Sequence, residues 1–271
     1  MQKAVYMRKL LTLCVQSDII WEDCTANLEA LNTLLENKKA DLIVLPEFFA
    51  HGFTMKREGI AQPSVDGLTL SWMKELALKT GALVCGTQMV NHEDHYFNRA
   101  YIVCPTGEFS YYDKKHLFTM GGEQEILSPG TTLIKVPWKG WNIRPLICYD
   151  LRFPVWSRNR SFGGSPEYDL LIYMANWPKG RANHWRSLLI ARAIENQCWV
   201  IGVNRTGTDG NGVIHHGGSL VISPTGEVIS EAGTEEMVLE TSLDYETLMS
   251  WRKKFRVYRD WDSFTLDEAG R

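Results

Sequence analysis

An apolar run rich in β-forming residues opens at Trp141 and stops abruptly on Cys148, and this boundary constrains the chain more than any other stretch. The run reads as a buried strand. Tyr149 and Asp150 follow, then Arg152, Phe153 and Pro154 lead into a helix, so Cys148 is expected on a tight turn between strand and helix. In an α/β sheet that position opens on the ligand crevice. The amide of Tyr149, next in the chain, is then free to hydrogen-bond a developing oxyanion. An isolated cysteine in such a place is more often a small buried hydrophobe, so the weight comes from its company.

Two further runs end in the same manner. Asp41 to Phe49 (DLIVLPEFF) reads as a strand stopped by Pro46, with Glu47 just past its end. Tyr111 to Phe118 (YYDKKHLF) closes an alternating segment with Lys114. Three strand ends would thus bring a carboxylate, an ammonium and a thiol to one edge of a sheet.

Around these runs, strands and helices alternate. Strands are expected near Lys9–Gln16, Ala82–Gln88, Asn98–Val103, Glu108–Asp113, Tyr168–Ala175 and Trp199–Asn204, with two or three more before the C-terminus. Helices are expected near Thr25–Asn37, where Leu28, Leu31, Leu34 and Leu35 share a face, and near Leu70–Lys79 and Asn183–Gln197. Pro-Thr-Gly-Glu occurs twice, at 105–108 and 224–227, each time between strand-like runs, where glycine supplies a positive φ. A strand–turn–strand unit repeated in each half predicts two similar α/β halves whose sheets face each other with helices outside. Strand order does not follow from the sequence.

At 271 residues and 44% hydrophobic the chain has material for one large α/β domain, and no linker divides it. Its formal net charge of −3 is spread along the chain, and the basic run 252–254 is too short for a nucleic-acid surface. The apolar run Leu10 to Val15 is too brief for a signal peptide or a membrane span. A cytoplasmic protein without nucleic-acid or membrane partners is therefore expected. Six scattered cysteines without a CxxC pair argue against disulfides and zinc. His92 to His95 (HEDH) is one residue short of the spacing that places two rings on one helix face, and a polar turn fits better. The 209–212 segment (DGNG) is too short for a calcium loop, so neither metal nor cofactor is expected.

In this order, LPE at 45–47, DKKHLF at 113–118 and ICYDLRFP at 147–154 resemble the glutamate, lysine and cysteine motifs of the nitrilase superfamily of carbon–nitrogen hydrolases. Segments 183–185 and 192–196 follow where that family has counterparts, and the resemblance covers nearly the whole chain. It implies a four-layer α-β-β-α sandwich of two pseudo-symmetric halves, with Glu47, Lys114 and Cys148 catalytic. It adds a further acid after the lysine, for which Glu123 is the match and Glu125 the rival. It also implies a homodimer formed through the helices after Cys148 and after Ala182, with residues 245–271 docking at the interface; packing of that tail on its own subunit is the alternative.

The chemistry assigns each residue a task. Lys114 is expected to lower the thiol's pKa and, with the Tyr149 amide, to hold the oxyanion. Glu47 is expected to act as base toward the thiol and then toward water. YDLRFPVWSRN, ANWP and the WRKKF tail look like the omega-amidase branch, which hydrolyses 2-oxo acid amides. A distal carboxylate on such a small-molecule amide needs a cation or several donors, and Arg181, Arg205 and His215 are the candidates, with Phe53 and Trp177 as pocket walls. Arg152 is expected in a structural ion pair that holds the turn. The rivals are a nitrilase, a carbamoyl-amide hydrolase, and a non-catalytic thiol sensor or scaffold, although a sensor has no use for Glu47.

Overall fold

The computed structural model describes residues 8–266 apart from Gly163. The chain enters as β1 (Lys9–Gln16), α1 (Cys24–Leu34), β2 (Leu42–Val44), the short β3 (Gln62–Pro63), α2 (Leu68–Thr80), β4 (Leu83–His92), β5 (His95–Val103) and β6 (Phe109–Asp113). A single-turn helix, α3 (Glu123–Ile126), leads to β7 (Val136–Trp138), β8 (Trp141–Ile147), α4 (Pro154–Ser157) and the ribbon β9 (Ser161–Phe162) and β10 (Ser165–Pro166). Then come β11 (Leu170–Ala175), α5 (Ala182–Asn196), β12 (Trp199–Asn204), the hairpin β13 (Thr206–Thr208) and β14 (Ile214–His216), β15 (Leu220–Ile222), β16 (Val228–Glu231), β17 (Met237–Asp244) and α6 (Tyr245–Lys254).

Two large sheets result, in the orders β17-β1-β2-β4-β5-β6 and β7-β8-β11-β12-β15-β16, with β3 beside β4, while β9/β10 and β13/β14 pair only with each other. Both have the same plan: one antiparallel edge strand, three parallel strands, then two antiparallel ones. The repeated Pro-Thr-Gly-Glu turns join β5 to β6 and β15 to β16, at equivalent places, with Gly107 and Gly226 at φ of 85° and 87°.

Period-two alternation explains the layering. Leu10, Cys14, Leu42, Val44, Leu83, Cys85, Ala100 and Ile102 belong to the core between the sheets, which continues through the second sheet to Trp185, Leu189 and Ala193 of α5. Their neighbours Leu13, Val15, Ile43, Val84, Tyr101 and Val103 pack outward on α1 and α2 residues such as Leu28, Leu31, Met73 and Leu76. The inner strands β1, β2 and β4 are therefore buried on both faces for most of their length, and the stack is the expected four-layer sandwich.

The chain departs from the expected plan toward its end, where five strand segments follow β12 rather than two or three. The last of them, β17, crosses back to the first sheet and pairs with β1 from Lys9↔Asp244 to Gln16↔Met237. α6 then docks on its own chain: buried Arg252 donates to Asp169 Oδ1 (2.7 Å), Tyr168 O (2.7 Å) and Gln197 O (2.9 Å). Residues 267–271 of the expected docking segment lie outside the described residues. At 92–95 the polar turn is present, with Glu93 and Asp94 both at positive φ between β4 and β5.

Candidate active site

Cys148 follows β8 directly and opens a 3₁₀ turn, Cys148–Arg152. Its φ of 40° is a left-handed conformation that costs a residue with a Cβ about 1 kcal/mol or more, so the turn must be held from outside. Buried Asp150 does this. One of its oxygens accepts from Ile147 N (3.1 Å) and Tyr112 Oη (2.7 Å), the other from His116 N (3.0 Å) and lies 2.8 Å from His116 Nδ1. The carboxylate thus ties the cysteine's turn, from the second sheet, to the segment around Lys114, from the first. From α5, Arg192 Nη2 donates to Leu151 O at 2.6 Å. The Tyr149 amide lies in the first turn of this short helix, where no intrahelical acceptor exists.

Glu47, Lys114 and Glu123 come together with their side chains fully buried. Lys114 Nζ donates to Glu47 Oε1 (2.8 Å) and Glu123 Oε2 (2.7 Å). Asn98 Nδ2 donates to Glu47 Oε1 (2.8 Å) and Glu123 Oε1 (3.1 Å), the Phe118 amide to Glu123 Oε2 (2.6 Å), and the Asn176 amide to Glu47 Oε2 (2.9 Å). Asn176 Nδ2 also donates to the Glu47 carbonyl at 2.5 Å, fixing the backbone where Pro46 ended the strand. Glu125 is exposed, so of the two acids only Glu123 joins the cluster.

One ammonium between two buried carboxylates leaves this cluster negative, and the thiol responds. Burial pushes the Cys148 thiol well up, the Glu47 carboxylate pushes it further, and the Lys114 ammonium only partly opposes them. Lys114 does lower the thiol's pKa as expected, but burial and Glu47 outweigh it, so at rest the thiol keeps its proton, facing a carboxylate. Burial works against the Lys114 ammonium, yet Glu123 and Glu47 outweigh it and raise its pKa, keeping it charged. Burial raises Glu123 against the pull of Lys114.

Cys148, Tyr149, Lys114 and Asn176 open on a cavity of about 570 Å³. Phe53, Trp177, Arg181 and His215 line it as expected, the Phe53 ring lying 5.7 Å from Lys114 Nζ. Arg205 does not. Its buried guanidinium pairs with Asp18 Oδ1 (2.9 Å) and donates to Thr206 O and Ile19 O, tying the loop after β12 to the loop after β1. His215 is no cation: burial first, then Arg205, lower its pKa, and its Nε2 lies 3.2 Å from Asp209 Oδ2. The expected ion pair of Arg152 is also corrected. Its guanidinium stacks 4.7 Å over Trp177 beside His184, without a carboxylate partner among the described residues, and it lines the cavity. Besides Lys114, which is committed to the two carboxylates, Arg152 and Arg181, the latter 5.6 Å over Phe118, are cations facing the cavity. Asn98, Asp150 and Asn176 were missed; Asp150 and Asn176 had a signal, their places inside the cysteine motif and the ANWP stretch, and Asn98 had none.

The carbon–nitrogen hydrolase family model matches residues 13–253, most of the chain and all four residues of the cluster. The chain belongs to the carbon–nitrogen hydrolases. Among the similar relatives of this carbon–nitrogen hydrolase, an omega-amidase (YafV) from Yersinia enterocolitica is 41% identical over 262 residues, covering 96% of this chain and 100% of that one. A 2-oxoglutaramate amidase from Bacillus subtilis is 34% identical over 251 residues, covering 91% and 95%. In fold, it superposes on XC1258 of Xanthomonas campestris, a superfamily member with an arsenic adduct in its active site, with a TM-score of 0.94, 39% identity and coverage of 96% and 100%.

Proposed function

We propose that this hydrolase is an omega-amidase that releases ammonia from the distal amide of a small 2-oxo dicarboxylic acid monoamide, such as 2-oxoglutaramate or 2-oxosuccinamate. One observation carries the reading: the buried Glu47–Lys114–Glu123 cluster meets Cys148 on a cavity that Arg152 and Arg181 also face, with no carboxylate taking up either guanidinium among the described residues. The similar omega-amidases and 2-oxoglutaramate amidase support the substrate class.

In this mechanism Glu47 removes the Cys148 proton as the sulfur attacks the amide carbon, so that thiolate forms only where it reacts. The oxyanion accepts from the Lys114 ammonium and the Tyr149 amide. Loss of one such donor typically lowers kcat roughly 100- to 1,000-fold. Glu47 returns the proton to nitrogen, the C–N bond breaks and ammonia leaves a thioester. Water, deprotonated by Glu47, attacks the thioester; the C–S bond breaks and the sulfur recovers its proton, leaving a carboxylic acid. Glu123 keeps Lys114 in place throughout. A cavity of about 570 Å³ lies within the roughly 300–1,000 Å³ usual for ligand sites, so volume does not select a short amide; the two arginines select by charge.

The thiol-sensor reading fares worse, because sensors need an accessible, low-pKa cysteine, whereas this one is buried and pushed up. We further infer a homodimer through α4 and α5, supported by exposed apolar Val155 (60%), Ile194 (53%) and Phe255 (52%). Action in the cytoplasm is supported by six unpaired cysteines. Among the described residues no helix is long and apolar enough to cross a membrane.

Ammonia release from a panel of 2-oxo acid amides, uncharged amides, nitriles and carbamoyl compounds tests the reading. The 2-oxo acid amides should be preferred, and Cys148→Ala should abolish their turnover while leaving the fold. Preference for a nitrile, or carbon dioxide released with ammonia, would overturn the substrate class, and activity in Cys148→Ala would overturn the mechanism.

A further inference from the structure

Asn98, on β5, touches three members of the charged cluster. Its carbonyl accepts from Lys114 N at 2.9 Å, and its side-chain nitrogen donates to both Glu47 (2.8 Å) and Glu123 (3.1 Å). The orientation of the amide follows from its partners. Both neighbours on that side are carboxylate oxygens, so the atom between them must be the nitrogen. Its oxygen points away and has no partner among the described residues, an arrangement that leaves one acceptor unsatisfied in order to give both donor hydrogens to carboxylates.

The need for those hydrogens is electrostatic. Glu47 faces Lys114, Cys148, Glu123 and the Asn176 amide; Glu123 faces Lys114, Glu47 and the Phe118 amide. Two like charges sharing one buried ammonium favour the uptake of a proton by one of them, and a protonated Glu47 can no longer take the proton from Cys148. Neutral donors oppose this without adding charge. A second lysine here would instead make the cluster neutral and weaken the base.

We propose that Asn98 is a positioning residue that holds the Glu47 and Glu123 carboxylates around the shared Lys114 ammonium and thereby sets the acid limit of the reaction. This rests on the amidase reading above. It acts through two acceptors at once: one N–H holds the base, the other holds the acid that orients the lysine, and the backbone carbonyl fixes where the lysine leaves β6.

The test is the pH profile of kcat/KM for Asn98→Leu, which keeps the branched shape and removes the donors, and for Asn98→Ser, which retains a single donor. With Leu, the acid limb should move to higher pH by about one unit, since a carboxylate deprived of a hydrogen bond is harder to ionise. At neutral pH kcat should fall roughly 10- to 100-fold with KM within about threefold. Ser should lie between Leu and the parent. A merely structural residue would lower activity or thermal stability without moving the acid limb, so an acid limb unchanged from the parent overturns the proposal. If Asn98→Leu does not fold, Asn98→Ser decides alone: a limb at the parent position refutes it, and a raised limb upholds it. Activity surviving in Cys148→Ala would overturn the amidase mechanism itself, which keeps the two failures distinguishable.

Discussion

The two halves of the molecule share one plan and use it differently. β1 and β8 are equivalent strands, and the residues that follow them are Ser17 and Cys148, a hydroxyl and a thiol at matching places. Ser17 is buried and the chain runs on in a bridge from Asp18 to Thr206, leading later into α1, an ordinary crossover helix of 11 residues. Cys148 instead turns at once, at positive φ, into a 3₁₀ turn that presents its side chain to the cavity. At the ends of β2 and β6 the first half places Glu47 and Lys114. Beyond β11 and β16 the second half places Asn176 and Ala232, while Glu231 pairs with Arg186 at the surface. The frame offers equivalent strand ends, and the local turn decides which become chemical. Charge gathers in the first half, the nucleophile and the facing cations in the second.

The sharpest way to break this division is to remove its charge while leaving its nucleophile. Glu47→Gln should lower kcat about 1,000-fold or more. It should also make Cys148 alkylate faster with iodoacetamide, because the carboxylate that holds the thiol's pKa up is gone while Lys114 remains. Mass-spectrometric labelling rates measured beside turnover check this, and slower labelling in the variant would refute the account of the resting thiol. The turn itself comes next. Asp150→Ala should cost about 3 kcal/mol in urea unfolding, since it strips a buried carboxylate from four donors. Ser17→Ala, at the matching site, should cost less than about 1 kcal/mol, its hydroxyl having no partner among the described residues.

The cation wall gives a smaller effect, and only in the second half. Arg152→Ala and Arg181→Ala should each raise KM for a 2-oxo acid amide roughly tenfold while sparing an uncharged amide. Arg205→Ala should act on stability, because its guanidinium is committed to Asp18. Steady-state kinetics on both amides, with thermal melts, separates these outcomes. The smallest contrast lies in the duplicated turns. Gly107→Ala should cost about 1 kcal/mol for its left-handed φ. Gly226→Ala should cost more in the same urea titration, since its new Cβ would lie 2.6 Å from Ile194 Cγ1, whereas the one at Gly107 meets nothing within 4 Å.

The sequence by itself determined the parts that periodicity and punctuation encode. Lys9–Gln16 and Trp199–Asn204 fall at the expected residues, the two Pro-Thr-Gly-Glu turns mark equivalent hairpins, and the strand-end residues Glu47, Lys114 and Cys148 converge, joined by Glu123, which only the family resemblance pointed to. An alternating strand declares its two faces through its own residues, and a strand end declares itself where the apolar run stops. Which strand ends become neighbours is a different kind of information. The return of β17 to β1, the Asp150 link between the sheets and the Asn98 bridge between two acids carry no local pattern. Arg152 and Arg205 were assigned the wrong way round for the same reason: an arginine's sequence neighbours do not say whether a carboxylate from another loop will reach it. The tertiary structure alone decided these matters, because each depends on groups far apart in the chain, as where the Asn176 amide meets Glu47 across 129 residues. The resting state of the thiol follows from the same fact, since it is set by burial and by charges that only the completed fold brings beside it.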